Sequence, residues 1–481
     1  STLFPYTTLF RSGEGYSDGS HRWRFIGAYL IYGQWKQLVV AGVRSLAAAY
    51  VLTGDMTYAH KAAILLDRIA DVYGQFDFSK QGMSYERRDP IIGQGYVSVW
   101  HDGCEETREL VLAYDMIYEA MAGDQALVPF LRQRAQKYDL GKTKDTVADI
   151  RNNIEQGVLL EVLQHRYKVE SNFPRTDALF AIIETVRDWP RNRARVQALI
   201  DAFISKGTAV DGLSGEKGLS GYSAGLSRSL APFLSLYSRL EPGFLASLVK
   251  RHPDLKKTFR FHADTWFNTS YYPKVGDTGM FGQKNEQYVG VSFSKNPVAA
   301  EFSAYAFTSA QSLFWQLYEI TQDPLYVQIL YRENGSSSAG LPFDILQENP
   351  KEFQARVDQV VAGHGTELKS SSFNMEKWCL AMLCSGTGQA RRAVWIDYDI
   401  GGNHCHADAM NIGLFARGLD LLPGFGYPAV QFGGWYAPKA LWYRRTAAHN
   451  TVVVNGQDQM PGIGERETAP IAEQRSAEHK S

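Results

Sequence analysis

The chain has 481 residues, with 44% hydrophobic and 21% charged, and 50 Lys and Arg against 51 Asp and Glu give a formal net charge of −1. The length allows two or three domains with a large core, and the charge balance excludes a global field that would recruit nucleic acid or an anionic membrane surface. Four cysteines without CxxC spacing are too few for a disulfide framework, and no apolar run reaches the roughly 18 residues that a bilayer crossing needs.

In chain order, residues 1–12 and 471–481 are set aside first. TLFPYTTLFRS (Thr2 to Ser12) resembles the translation of a sequencing-library adapter, and the tail RSAEHKS resembles that of its reverse partner. From about Gly27 to Leu330 apolar residues recur at helical spacing. The pattern predicts helices over Gln37 to Asp55, Tyr58 to Tyr73, Thr107 to Met121, Ile154 to His165, Asp177 to Val186, Val196 to Ile204, Ala224 to Arg239 and Ala304 to Thr321. Helices arriving roughly in pairs, joined by Gly-, Pro- and Asp-rich loops, predict an α/α toroid over 13–340, with a groove at the loop ends of its inner helices. Residues 341–370 read as a linker. Beyond them WCLAMLCSG, RRAVWIDYDIG, MNIGLFARGLDLLPG and HNTVVVNG are short apolar or alternating runs bounded by Gly and Asn, which predicts strands. The region 371–470 is expected to open an antiparallel β-sandwich with too few strands to close it, so apolar strand surface should be exposed.

Chemistry concentrates in GGNHCHADAMNIG. On a strand, His404, His406 and Asp408 would project from one face, fit for metal binding or acid–base work. His449, in RRTAAHNTVVVNG, would supply a third imidazole from the mouth of another strand. The stretch WYAPKALWYRR offers Tyr436, Tyr443, Arg444 and Arg445 for stacking on sugars and pairing with carboxylates. In WHDGCEETRE, His101 and Arg108 accompany Glu105 and Glu106, which suit a helix's first turn.

An H-x-H strand, a glycine-rich turn ending in G-Y and an R-x-T-x-x-H-N-T strand occur here in that order, and together they resemble the heparinase II/III-like polysaccharide lyases, a group that includes alginate lyases. The resemblance implies that His404 faces the substrate and that His406 and His449 ligate a structural zinc with an aspartate, whose place this chain fills with Gly424; Asp408 or Asp420 would then have to substitute. RNNIEQGVLLE resembles the family's N-H or N-N motif, which makes Asn152 the group that hydrogen-bonds the uronate carboxylate and Asn153 a second substrate contact, while either asparagine would also serve as a helix cap. DGLSGEKGLSGYSAG resembles the D-G-x-x-E…Y segment and makes Tyr222 a proton-transferring residue, with Arg228 as a source of positive field. YYPKVGDTGMFG, with Tyr271, Lys274 and Asp277, resembles the P-x-x-G-D segment that shapes the groove.

The expectation is therefore a secreted or periplasmic enzyme cleaving a uronate-containing polysaccharide by β-elimination. Its catalytic residues would be Tyr222, His404 and Asn152, and its substrate contacts Asn153, Tyr436, Tyr443, Arg444 and Arg445; zinc is the expected cofactor, with neither nucleic acid nor membrane as partner. Two alternatives stay open: a glycoside hydrolase on the same helical architecture, with carboxylates drawn from Asp149, Glu155 and Glu216, and a binding protein that keeps the aromatic groove without the chemistry.

Overall fold

The computed structural model describes residues 16–17, 22–23, 27–78, 95–295, 307–399, 401–430 and 434–459. The adapter-like ends and the region beyond 459 lie outside them. The chain forms two compact units, one made by the residues up to Ile200 and one that starts at Asp201 and contains the sheet. The order is helices first and strands second, as the hydrophobic periodicity predicts.

In the first unit, helices α1 (Ala41–Thr53), α2 (Met56–Val72), α3 (Trp100–Gly123), α4 (Leu127–Lys137), α5 (Val147–Ile154) and α6 (Arg175–Asp188) follow one another. A π-helical stretch Gly27–Val40 leads into α1, and α5 runs on through a second π-helical stretch, Glu155–Leu160. The boundaries have local causes. Gly54 ends α1 in the left-handed conformation that a side chain disfavours, Asp55 caps α2 by accepting from Thr57 N, and Thr146 and Asp149 form a reciprocal capping box on α5. Neighbouring helices pack through small and branched residues such as Val43, Ala47, Ala62, Leu66, Leu110 and Ala113, the helical-hairpin packing from which an α/α toroid is built.

In the second unit α8 (Tyr222–Leu240) is the axis on which α9 (Phe244–Arg251), α10 (Leu255–Asp264) and α11 (Ala310–Thr321) pack, preceded by α7 (Arg193–Thr208), which runs into this unit from the first. Next come α12 (Leu325–Glu333) and α13 (Pro350–His364). The segment 341–370 is thus no plain linker: α13 buries Phe353, Val357 and Val360, and Phe353 meets Trp315 with ring centroids 5.2 Å apart. Among the described residues no helix is long and apolar enough to cross a membrane.

Besides a short pair, β1 (Tyr16–Ser17) and β2 (Arg22–Trp23), the strands form one antiparallel sheet, β3 (Phe373–Met375), β4 (Leu380–Ser385), β5 (Arg392–Asp397), β6 (Asn411–Ala416) and β7 (Leu419–Asp420), ordered β3-β4-β5-β6-β7. Registers such as Met382↔Trp395 and Ala393↔Phe415 put alternate side chains on an inner face, where Leu380, Met382, Trp395 and Phe415 are buried and Phe415 stacks on Phe267 and Tyr271. The opposite face is also apolar, through Ala381, Leu383, Val394, Ile396, Ile412 and Leu414, and it is open: Leu383 is 66% and Val394 42% exposed. Two strand expectations fail. His404 to Asp408 lie in an irregular segment before β6, and the Val452 to Val454 run forms no strand beyond an isolated bridge from Val454 to Gln457.

Candidate active site and metal centre

The irregular backbone at His404 separates the two histidines into different clusters. His404 has φ +59°, a left-handed conformation that costs a non-glycine residue about 1 kcal/mol, so the surroundings must hold it. They do so from two sides: Asp277 N donates to His404 O at 3.1 Å, and Lys217 N donates to Asn403 O at 2.9 Å. Gly276 is obligatory under this segment, since a Cβ there would stand 2.2 Å from His404 O.

So held, His404 places Nδ1 2.8 Å from Glu216 Oε1 and stacks its ring on Tyr222, with centroids 3.3 Å apart and an interplanar angle of 8°. A carboxylate accepts from Nδ1–H, which leaves Nε2 with a lone pair and no protein partner among the described residues. The imidazole side chain is 26% exposed. Tyr222 begins α8, and its hydroxyl lies 3.0 Å from that of Tyr427. Burial, then the hydrogen bond to Tyr427 and the charges of Asp277 and Glu216, push the Tyr222 phenol well above its ordinary value. Arg228, the expected source of positive field, directs its guanidinium to the carbonyls of Val289 and Ser220, and the pKa of the Tyr222 phenol is raised all the same. The phenol therefore stays protonated.

The loop carrying Glu216 is anchored by its next residue. Lys217 Nζ donates to Trp378 O and Asp397 Oδ1, each at 2.9 Å, pairs with Asp399 at 2.8 Å and lies 3.9 Å from the centre of the Trp378 ring. Burial alone would lower its pKa, but Asp397 and Asp399 outweigh it and hold the ammonium charged.

His406 serves the second cluster. His406, Asp408 and His449 each offer a ligand atom, all within 4.8 Å of one another. His406 Nε2 is bonded to Asp277 Oδ1 at 2.8 Å, so its Nδ1 carries the lone pair, and Nδ1 of His406 and both ring nitrogens of His449 are buried without a partner. Burial pulls the His449 pKa down to about 4, which keeps it neutral and able to ligate. Two orphaned imidazole nitrogens and a carboxylate fit a borderline-soft dication, with Asp277 as the outer carboxylate that orients a ligating histidine. A Cβ built on Gly424 would meet Lys274, whose Cβ lies 3.1 Å away. Asp408 supplies the carboxylate, and Asp420 stands outside the cluster.

The remaining expected residues divide. Asn152 is exposed on α5. Asn153 is buried and committed: its amide nitrogen donates to Asp67 and Asp71 and its oxygen accepts from Lys142, so it has no polar atom left for substrate. Tyr436 is exposed, Arg445 is paired with Asp458 at 2.9 Å rather than left open, Tyr443 packs on Phe425, and the carbonyl of Arg444 accepts from Ala407 N. The hydrolase carboxylates do not pair: Asp149 is spent in the capping box, Glu155 accepts from Tyr114 OH, and Glu216 faces His404. Sequence reasoning missed three roles. Glu216 stood only among hydrolase carboxylates, Asp277 only among groove-shaping residues, and Tyr427 was legible only as the end of the G-Y turn.

Residues 389–481 match the family model described as Heparinase II/III-like, C-terminal. No curated protein matches the chain. Among solved structures, a heparan sulfate lyase from Pedobacter heparinus shares 14% identity at a TM-score of 0.45, covering 95% of this chain and 62% of that one. A mutant of that lyase gives 14% and 0.46 over 86% of this chain and 53% of that one, and a heparinase III gives 10% and 0.41 over 89% and 70%. The chain spans less than two thirds of the length of both Pedobacter structures.

Proposed function

We infer from the heparinase II/III-like character of residues 389–481 that this chain is a polysaccharide lyase, acting on a uronate-containing polysaccharide by β-elimination. The single observation that carries the reading is the Glu216–His404–Tyr222 arrangement, a histidine whose outer nitrogen is free beside a tyrosine kept protonated. In the proposed reaction His404 Nε2 takes the C5 proton of the uronate, the electron pair forms the C4–C5 double bond, and the C4–O bond breaks. Tyr222 delivers its hydroxyl proton to the departing glycosidic oxygen. The imidazolium then releases its proton and Tyr222 regains one, closing the cycle. Glu216 stabilises the imidazolium through Nδ1–H, the role a carboxylate plays behind a catalytic histidine. Asn152 is proposed, on its sequence motif, as the amide that meets the uronate carboxylate and favours loss of the C5 proton.

His406, Asp408 and His449 are proposed to hold zinc. When bound, the ion would supply fixed positive charge that ties the segment after His404 to the His449 segment; it does not enter the proton transfers.

The test is product analysis on a panel of uronic polysaccharides. A lyase generates an ultraviolet-absorbing unsaturated uronate end, a hydrolase new reducing ends only, and a binding protein neither. Release of reducing ends without the absorbance would overturn the reading.

A further inference from the structure

Glu216 does not fix its own aim. It lies in a loop between Gly215 at φ +83° and Gly218 at φ +87°, left-handed positions that glycine takes up without holding a direction. Among the described contacts its carboxylate has one polar partner, Nδ1 of His404. A carboxylate on a three-torsion side chain in such a loop has many directions open to it, so the contact with His404 has to be set from outside the loop.

Lys217 is placed to set it. Its side chain is 1% exposed and runs from the loop to the end of the sheet, where Nζ lies 2.9 Å from Asp397 Oδ1 and 2.8 Å from Asp399 Oδ1 and donates to Trp378 O. Its backbone N donates to the carbonyl of Asn403, the residue before His404, at 2.9 Å. The receiving side is fixed as well. Asp397 ends β5 in register with Leu380 and Asn411, and Trp378 N donates to Asp211 Oδ2 at 3.0 Å, at the head of the Glu216 loop. A single residue thus joins the loop of Glu216, the segment of His404 and the sheet.

Stability alone does not account for charges in this place. Desolvation of a buried ammonium and carboxylate offsets much of their attraction, and an apolar side chain of similar volume often stabilises as well. What the charges add is direction, because an Nζ held by a carbonyl and two carboxylates has one position.

We propose that Lys217 is a positioning residue for the elimination, the buried cation that holds Glu216 against His404. The reaction it serves rests on the lyase reading; the contact it maintains does not.

Lys217→Met alone would leave two carboxylates without their cation. The test therefore uses Lys217→Met combined with Asp397→Asn, which removes both fully buried charges, and Asp397→Asn alone as the milder variant should the combination not fold. In the whole chain labelled on histidine nitrogen, the downfield Nδ1–H resonance that disappears in His404→Gln reports the hydrogen bond to Glu216. It is expected to disappear or move upfield in the combined variant and to move less in Asp397→Asn. On the polysaccharide that the wild type cleaves, the combined variant should lower kcat about tenfold or more with KM nearly unchanged, as a small misplacement of a catalytic group does. The same changes in a Glu216→Gln background should cost less than about twofold, because Lys217 acts only through Glu216. An unchanged resonance in a folded variant, or an equal fall in kcat with and without the Glu216 carboxylate, would overturn the proposal. A wild type that cleaves no uronic polysaccharide ends the lyase reading instead, and the resonance then decides the role of Lys217 by itself.

Discussion

His404 shows how much a single backbone conformation decides. A strand at this position would send His404, His406 and Asp408 to one face and merge acid–base and metal chemistry in one cluster. The left-handed turn at His404 sends its imidazole to Glu216 and Tyr222 and leaves His406 and Asp408 to His449. Replacing Glu216 by Gln keeps the size and a hydrogen-bonding atom at Nδ1 but removes the charge facing the imidazolium. Glu216→Gln should therefore lower kcat by about a hundredfold or more with KM nearly unchanged, because only the charge-bearing state loses stabilisation; an equal loss in KM would mean that Glu216 binds substrate instead. At the second cluster, protein purified without chelator should carry one zinc per chain and lose it in His449→Ala, and metal analysis that finds none in the wild type would remove zinc from the account. The histidines and Tyr222 were legible because their motifs are short and ordered in sequence. Glu216 and Asp277 were not assigned their roles, because a carboxylate's partner 188 or 129 residues away is set by chain folding and not by spacing.

At the scale of elements, α10 supports the start of α8, the helix that Tyr222 opens. His262 of α10 lies within 3.2 Å of Ser223 Oγ and is fully buried, and burial, with Arg228 adding to it, lowers its pKa from 6.5 to about 3. The unfolded chain takes up a proton on this histidine as pH falls through about 6.5, while the folded chain refuses it until about 3, so the neutral imidazole favours folding above that window and the advantage is lost as pH falls. The loss should be about 1.4 kcal/mol per pH unit between about 6 and 4. Urea denaturation across that range should show the slope in the wild type and a flatter dependence in His262→Leu; identical slopes would assign the acid sensitivity to other groups. Helices with long amphipathic runs were readable from periodicity, and α8 begins two residues before its predicted start. The short helices α9 and α10 and the segment that became α13 were not, because their stability comes from tertiary burial of a few residues such as Phe259 and Phe353 rather than from a long pattern.

For the whole molecule, the sequence of helices followed by an antiparallel sheet was visible in the switch from helical to alternating periodicity near residue 370. Less visible was that the sheet shares a compact unit with α8 to α13, because the contacts that join them, Lys217 to Asp397 and Phe261 to Trp378, link residues more than a hundred positions apart. One face of that sheet buries its apolar residues and the other leaves Leu383, Val394 and Ile412 open, a contiguous apolar strip of the kind that drives association. Leu383→Lys combined with Val394→Thr should reduce self-association in sedimentation experiments while leaving Tm within about 2 °C, since surface changes away from buried features cost little; a large fall in Tm would show that this face is packed.

In the proposed reaction one tyrosine hydroxyl delivers the proton to the leaving sugar. Tyr222→Phe removes only that hydroxyl, so it should fold with the wild-type Tm and lose the ultraviolet-absorbing product from the polysaccharide that the wild type cleaves. Retention of more than about a tenth of the wild-type rate in a folded Tyr222→Phe protein would contradict the account, because a general acid ordinarily contributes about a hundredfold or more.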